Sequence, residues 1–302
     1  MPASRRRFGA AVVALVVTGT SAYGHAARPI AGTTERQLVV GGVTRTYLLH
    51  AGGEPKPGRP LVLVLHGWRG SAAGIARRTK GTFDRLADRD GAVVVYPQAL
   101  GDPRWNDGSN VAASATPPDD LGFLSAVVDG LAAELGIDRK RVFAAGLSNG
   151  ASMAYRLACQ RADLIAAAAP VSGGMPASVA STCQQGAPVS MIIMHGTDDP
   201  IVPFGSWVRN DVTTWTRRDG CPAQPVASRL PDVDPTDGTQ TRVEVFGPCA
   251  NGTEVAFYTI DGGGHAWPGG ETVYGFVRRG NTPRDFDAGE LIWDFFKRHP
   301  RR

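Results

Sequence analysis

The chain has 302 residues, 42% of them hydrophobic and 20% charged, with 32 Lys and Arg against 28 Asp and Glu. That length and apolar content suit a sizeable folded core and exclude an intrinsically disordered chain. The formal charge of +4 rests in part on three arginines near the N-terminus, so it gives no support to a nucleic-acid or acidic-polymer partner.

The first segment, MPASRRRFGAAVVALVVTGTSAYGHAARPI, combines Arg5, Arg6 and Arg7 with an apolar run from Phe8 to Val17 and small residues around Gly24 to Ala27. It reads as a secretory signal peptide over residues 1–27, too short to be a membrane span. Ser4 to Phe8 resembles the twin-arginine export motif, though a general secretory signal can also begin with three arginines. Cleavage removes three cations and no acid, leaving the mature chain almost neutral. Residues 28–302 are expected to form a single catalytic domain, secreted, monomeric and without a membrane anchor.

Past the signal, RQLVVGGVTRTYLLHAGG places two β-prone runs about Gly41-Gly42, a hairpin pattern. RPLVLVLHGWRG holds an unbroken apolar run ending in His66-Gly67, the pattern of a strand buried on both faces. Ser71 then caps a helix expected to reach about Asp88, and GAVVVYPQ is another buried strand. Leu121, Leu124, Val128 and Leu131 form one helical stripe. RVFAAG reads as a strand and is followed by a helix from about Asn149. LIAAAAPVSG and PVSMIIMHGTDD read as two more strands, followed by a helix near Trp207 to Arg218. EVAFYTI is a last strand, before a last helix opened by a capping box of Asp287 with Glu290. Strands alternating with helices predict an α/β fold, a mainly parallel sheet covered on both faces with an antiparallel hairpin at its N-terminal end.

Four cysteines, Cys159, Cys183, Cys221 and Cys249, lie downstream of the signal. In an oxidising compartment they read as two disulfides, and loop closure favours the local pairs Cys159 with Cys183 and Cys221 with Cys249. No C-x-x-C or paired-histidine spacing favours a metal. Asp232 to Gly238, DVDPTDG, departs from the calcium-loop spacing and reads as an acidic turn.

The chemistry is concentrated in three places. Gly146-Leu147-Ser148-Asn149-Gly150 lies between a strand and a helix, the context in which a G-x-S-x-G serine is exposed as a nucleophile. Downstream, Asp198 and Asp199 follow a buried strand, and His265 lies in a glycine-rich loop ahead of the last helix. The order Ser148, Asp199, His265 is that of α/β-hydrolases, and the backbone N–H groups of Trp68 and Asn149 are candidates for an oxyanion hole. Adjacent side chains in an extended segment point to opposite sides, so only one of Asp198 and Asp199 can face His265. His66 and His195 read as structural loop histidines. Trp105 and Trp267 are candidates for substrate contact, against the commoner fate of core aromatics.

The stretches LHGWRGSA, DDLGFLSAVVDGL, GLSNGASMAYRLAC, APVSG, HGTDDPIVPF, GCPAQPVASRLPDVDPTDGTQTR and GGGHAWPGG resemble the secreted esterases grouped as polyhydroxybutyrate depolymerases and feruloyl esterases, over about residues 35–298. The resemblance implies an α/β-hydrolase fold and a serine esterase without a cofactor. The family serine falls on Ser148, the acid of its HGTxD pattern on Asp199 and the histidine of GGGHxWPG on His265. Ala151 departs from the second glycine that relatives often carry after the elbow. With no surface-adsorbing module or Ser/Thr/Pro linker legible, a soluble feruloyl-type or sugar ester is expected ahead of a polyester, with an acetyl xylan ester, transfer to a sugar acceptor, or a non-catalytic wall-binding role as rivals.

Overall fold

The computed structural model describes residues 32–302 except 55, 110–116, 184–185 and 272–279. The proposed signal segment therefore lies outside the described residues. Strands β1 (Thr33–Val40) and β2 (Val43–Ala51) pair antiparallel across Gly41 and Gly42, whose φ angles of 56° and 80° are those a tight hairpin turn demands. β3 (Arg59–Leu65) and β4 (Val93–Pro97) are buried along their whole length.

The helix expected from Ser71 to Asp88 is instead two helices. α1 (Ala72–Arg78) is capped by the Ser71 hydroxyl, which accepts from Gly74 N–H at 3.0 Å, and α2 (Thr82–Asp90) follows after a break. Lys80 and Gly81 both turn left-handed there, at φ 52° and 64°, which no continuous helix accommodates. The break redirects the chain so that both short helices cover the same sheet face.

The chain continues through α3 (Asp120–Leu135), β5 (Ile137–Leu147), α4 (Asn149–Gln160), β6 (Ala167–Val171), α5 (Ala177–Ala180), β7 (Ser190–Gly196) and α6 (Ser206–Arg218). It closes with β8 (Val226–Arg229), β9 (Gln240–Phe246), β10 (Val255–Asp261) and α7 (Ala288–Arg298). All ten strands form one sheet in the order β1-β2-β4-β3-β5-β6-β7-β10-β9-β8. β4 through β10 in that order are parallel, while both ends of the sheet are antiparallel. The fold is that of an α/β-hydrolase.

Alternation along the strands divides the interior in two. Leu61, Leu63 and Leu65 point into a core with Phe123 of α3, Met153 of α4 and Val212 of α6; Val62 and Val64 point into a second with Ile75, Phe83 and Ile292 of α1, α2 and α7. At α7, Asp287 accepts from Gly289 N–H at 2.7 Å as an N-cap, but the Glu290 carboxylate pairs with Arg85 of α2 at 2.9 Å rather than closing a capping box. Disulfides join Cys159 to Cys183 and Cys221 to Cys249. Of the acidic turn, Asp234 pairs with the Arg284 guanidinium at 2.6 Å and Asp237 accepts from Arg284 N–H.

Candidate active site

Ser148 sits where β5 hands over to α4, with φ 59° and ψ −121°. A non-glycine residue at positive φ is costly and needs support from its surroundings. The support is close packing of glycine backbone. A Cβ on Gly146 would collide with the carbonyl of Gly150, and one on Gly150 would collide with the carbonyls of Leu65 and His66 at the end of β3. Gly67 is also close: a Cβ there would stand 3.2 Å from the Ser148 Cβ. The small residues thus bring the end of β3 against the serine, whose hydroxyl is left half-buried at the mouth of a cleft of about 140 Å³.

His265 lines the same cleft, although only 2% of it is exposed. Its Nδ1 lies 2.7 Å from Asp199 Oδ2. Asp199 is itself buried, and its other oxygen accepts from the N–H groups of Ile201 at 2.9 Å and Val202 at 2.8 Å. Those two bonds fix the carboxylate's orientation toward the imidazole. The residues meet because β7 and β10 are parallel neighbours, with Gly196 opposite Ile260, and the loops leaving them are laced together. Thr197 N–H donates to Ile260, Asp198 N–H to Gly263, and Gly262 N–H to the Thr197 hydroxyl. Asp198 is exposed and receives a hydrogen bond from Thr197, so it stands away from His265.

The neighbouring histidines are committed elsewhere. His66 accepts from Ala99 N–H at Nε2, 3.1 Å away, so Nδ1 carries the proton and donates to the Gly67 carbonyl at 2.7 Å. The same carbonyl accepts from Gly70 N–H. In a trans peptide the C=O and N–H point in opposite directions, so anchoring this carbonyl turns the Trp68 N–H the other way. His195 donates from Nε2 to Val202 at 2.9 Å. Burial pushes both imidazoles below their ordinary titration range and holds them neutral.

Among the described residues neither the Trp68 nor the Asn149 N–H has an acceptor. Asn149 begins α4, whose N-terminus carries partial positive charge. Its side chain is fully engaged: Oδ1 accepts from Trp105 N–H at 2.7 Å, and Nδ2 donates to Asp107 at 2.7 Å and to the Trp105 carbonyl at 3.3 Å. Trp105 in turn donates from Nε1 to the His66 carbonyl at 2.8 Å. This clamp ties the serine elbow, the end of β3 and the 102–109 loop together; nothing in sequence spacing announced Asp107, which is 42 residues from its partner.

Two substrate-contact candidates are corrected by burial. Trp105 is 1% exposed and held in the clamp, its ring tilted 41° to that of His66. Trp267 is also 1% exposed, with its ring packed edge-on against Phe83 in the core under α1, α2 and α7. Neither ring reaches the cleft. Trp68 does, at 53% exposure, with Nε1 donating to Asp102. The arrangement offers a half-buried hydroxyl lining a cleft, an imidazole oriented by a carboxylate and, among the described residues, two N–H groups without an acceptor, which together suit nucleophilic acyl transfer.

Comparison with known proteins agrees. The family described as Esterase PHB depolymerase matches residues 46–205. "Putative esterase NocK" of Nocardia uniformis subsp. tsuyamanensis is 32% identical, over 89% of this chain and 84% of its own. Feruloyl esterase B of Piromyces equi is 27% identical over 74% of this chain, which spans only 42% of that longer protein. The solved acetyl xylan esterase of Aspergillus awamori superimposes with a TM-score of 0.63 over 88% of this chain and 99% of its own; at 16% identity it speaks to the fold alone.

Proposed function

The chain belongs to the Esterase PHB depolymerase family and is a carboxylic ester hydrolase, and from that premise we propose that it is a secreted serine esterase in which Ser148, His265 and Asp199 form the catalytic triad. The observation that carries the reading is the 2.7 Å approach of the buried Asp199 carboxylate to His265, in the cleft that Ser148 also lines.

In this reading His265 takes the Ser148 proton as Oγ attacks the ester carbonyl. Asp199 holds the ring and stabilises the imidazolium, and the N–H groups of Trp68 and Asn149 receive the oxyanion. His265 then protonates the departing alcohol. Water, deprotonated by the same imidazole, releases the acid and restores Ser148. No step calls on a cofactor.

Soluble aryl or sugar esters, feruloyl esters foremost, are the proposed substrates. Support comes from the exposed Trp68 indole at the cleft and from relatives named as feruloyl esterases. Export fits the two disulfides, with residues 1–27 as the removable signal and residues 28–302 as one monomeric catalytic domain. Among the described residues no helix is long and apolar enough to cross a membrane.

A hydrolysis panel tests the proposal: methyl ferulate, p-nitrophenyl acetate, acetylated xylan and a hydroxybutyrate oligomer, each with the wild type and with Ser148→Ala. The expected result is a higher kcat/KM on methyl ferulate than on the oligomer, with every activity lost in the variant. Clearing of a polyhydroxybutyrate suspension with little action on ferulate would reverse the substrate ranking, and an active Ser148→Ala protein would remove the triad.

A further inference from the structure

In the sheet β6 lies between β5, which ends at the serine elbow, and β7, which leads to Asp199. The residues that leave β6 therefore pass between groups that must act together. Val171, the last of the strand, accepts from Ser148 N–H at 2.9 Å on one side, and Ser172 N–H donates to the Met194 carbonyl of β7 at 2.9 Å on the other. Gly173 then lies against the elbow itself: a Cβ there would stand 2.5 Å from the Ser148 carbonyl oxygen and 2.7 Å from the Ala151 Cβ.

Ser172 is 2% exposed and has φ 49°. A left-handed backbone is costly for a residue with a Cβ, whereas glycine adopts it without strain. The position is held instead by a side chain whose hydroxyl donates to the Ala266 carbonyl at 3.2 Å, 94 residues along the chain. Ala266 directly follows His265, and its N–H donates to the Gly264 carbonyl at 3.0 Å, closing a tight turn about the histidine. Three anchors hold that turn. Asp199 takes the imidazole at Nδ1, Trp267 sinks into the core under α1, α2 and α7, and Ser172 joins the turn to the segment packed on the elbow. Strain kept at a site where glycine would relieve it points to a task for the side chain.

We propose that Ser172 is a positioning residue, whose hydroxyl sets the reach between the His265 imidazole and Ser148 by tying the histidine's turn to the elbow. This rests on the reading of Ser148, His265 and Asp199 as the triad. Passing the serine proton to the imidazole and on to the departing alcohol needs the ring within hydrogen-bond reach of both oxygens, and a small displacement of it is costly in rate. Ser172 takes no part in that transfer; it acts through the Ala266 carbonyl. A buried hydroxyl serving the fold alone would also find an acceptor, so the two roles are separated by kinetics set against stability.

The test measures kcat, KM and melting temperature on p-nitrophenyl acetate for Ser172→Gly, Ser172→Ala and Ser172→Thr, with Ser172→Gly repeated in a His265→Ala background. Ser172→Gly loses the hydrogen bond but relieves the left-handed backbone, so its melting temperature should stay near that of the wild type. Its kcat should fall about tenfold to a hundredfold with KM changed less than about twofold. Ser172→Thr keeps the hydroxyl, while its branched Cβ makes the backbone harder to hold. It should be less stable than Ser172→Gly and yet more active, the reverse of the order expected if activity merely followed stability. In the already slow His265→Ala protein, Ser172→Gly should cost less than about a further twofold, because the group it positions is gone. Wild-type kcat in Ser172→Gly, or the same fold-loss in both backgrounds, would overturn the inference and leave the triad standing. Wild-type activity in His265→Ala would instead remove the triad reading beneath it. Should Ser172→Gly not fold, Ser172→Ala against Ser172→Thr decides: a higher kcat in the threonine variant supports the inference, and equal values overturn it.

Discussion

The side chain of Asn149 accepts a hydrogen bond from the backbone N–H of Trp105 at 2.7 Å, so the residue that opens α4 beside Ser148 also holds a loop 44 residues earlier in the chain. Asp107 completes the clamp, and the Trp105 indole carries it on to His66. The two proposed oxyanion donors, on Trp68 and Asn149, are thereby fixed relative to each other by side chains that never face the cleft. Asn149→Ala should fold, keep its backbone N–H, and lose about tenfold to a hundredfold in kcat with KM changed much less, because the donors are displaced rather than removed. Steady-state kinetics on p-nitrophenyl acetate check this; unchanged kcat would show that the clamp plays no part in positioning.

The paired aspartates separate cleanly. Asp199→Asn should lower kcat by orders of magnitude, since the amide in place of the carboxylate no longer stabilises the imidazolium of His265. Asp198→Asn, at an exposed position bonded to Thr197, should leave kcat within about twofold of wild type, as surface substitutions generally do. Reversed effects would move the acid to Asp198.

Trp267 lies one residue beyond Ala266 in the histidine's loop, but its ring belongs to the core. Trp267→Ala should cost about 3 to 5 kcal/mol of stability in a denaturant titration. The ratio of kcat/KM between methyl ferulate and p-nitrophenyl acetate should stay close to that of the wild type. A selective loss of ferulate activity in a protein of undiminished stability would return the ring to the substrate.

Asp211 of α6 is buried and accepts a hydrogen bond from Met175 N–H at 2.8 Å. Burial pushes its carboxyl up to about 7, an effect that the Met175 N–H only partly offsets. The native state therefore holds this proton over a range in which the unfolded chain releases it. The associated stability is fully present below about pH 4 and is lost as the pH rises to about 7. Asp211→Asn keeps an oxygen for Met175 and never ionises. Its melting temperature relative to wild type should thus rise between pH 5 and pH 8; a difference that stayed constant with pH would show that Asp211 is ionised throughout.

Much of this architecture could be read from residue order. The runs Leu61 to Leu65 and Val93 to Val95 are too apolar to be anything but buried, and they form the parallel centre of the sheet. β8 and β9 were not anticipated. β8 is exposed at all four of its residues and β9 alternates between charged and apolar side chains, so neither carries the continuous apolar signal of a central strand. The interruption at Lys80 and Gly81 was also missed, because the residues on either side keep an apolar helical pattern and only the left-handed backbone divides them. The elbow could be expected from its two glycines: a side chain on Gly146 would collide with the backbone of Gly150, and one on Gly150 with that of Leu65 and His66. The burial of Trp105 and Trp267 depends on which distant elements close over them, information that a tryptophan's place in a loop does not contain.

The central claim is that Ser148 is the nucleophile. Labelling the folded wild-type protein with a fluorophosphonate, digesting it and locating the adduct by peptide mass tests this most directly, because the reagent bonds covalently to an activated serine. The account predicts one adduct, on the peptide containing Ser148, with label uptake falling in step with esterase activity in Asp199→Asn. An adduct on another residue, or none on a protein that still hydrolyses p-nitrophenyl acetate, would contradict it.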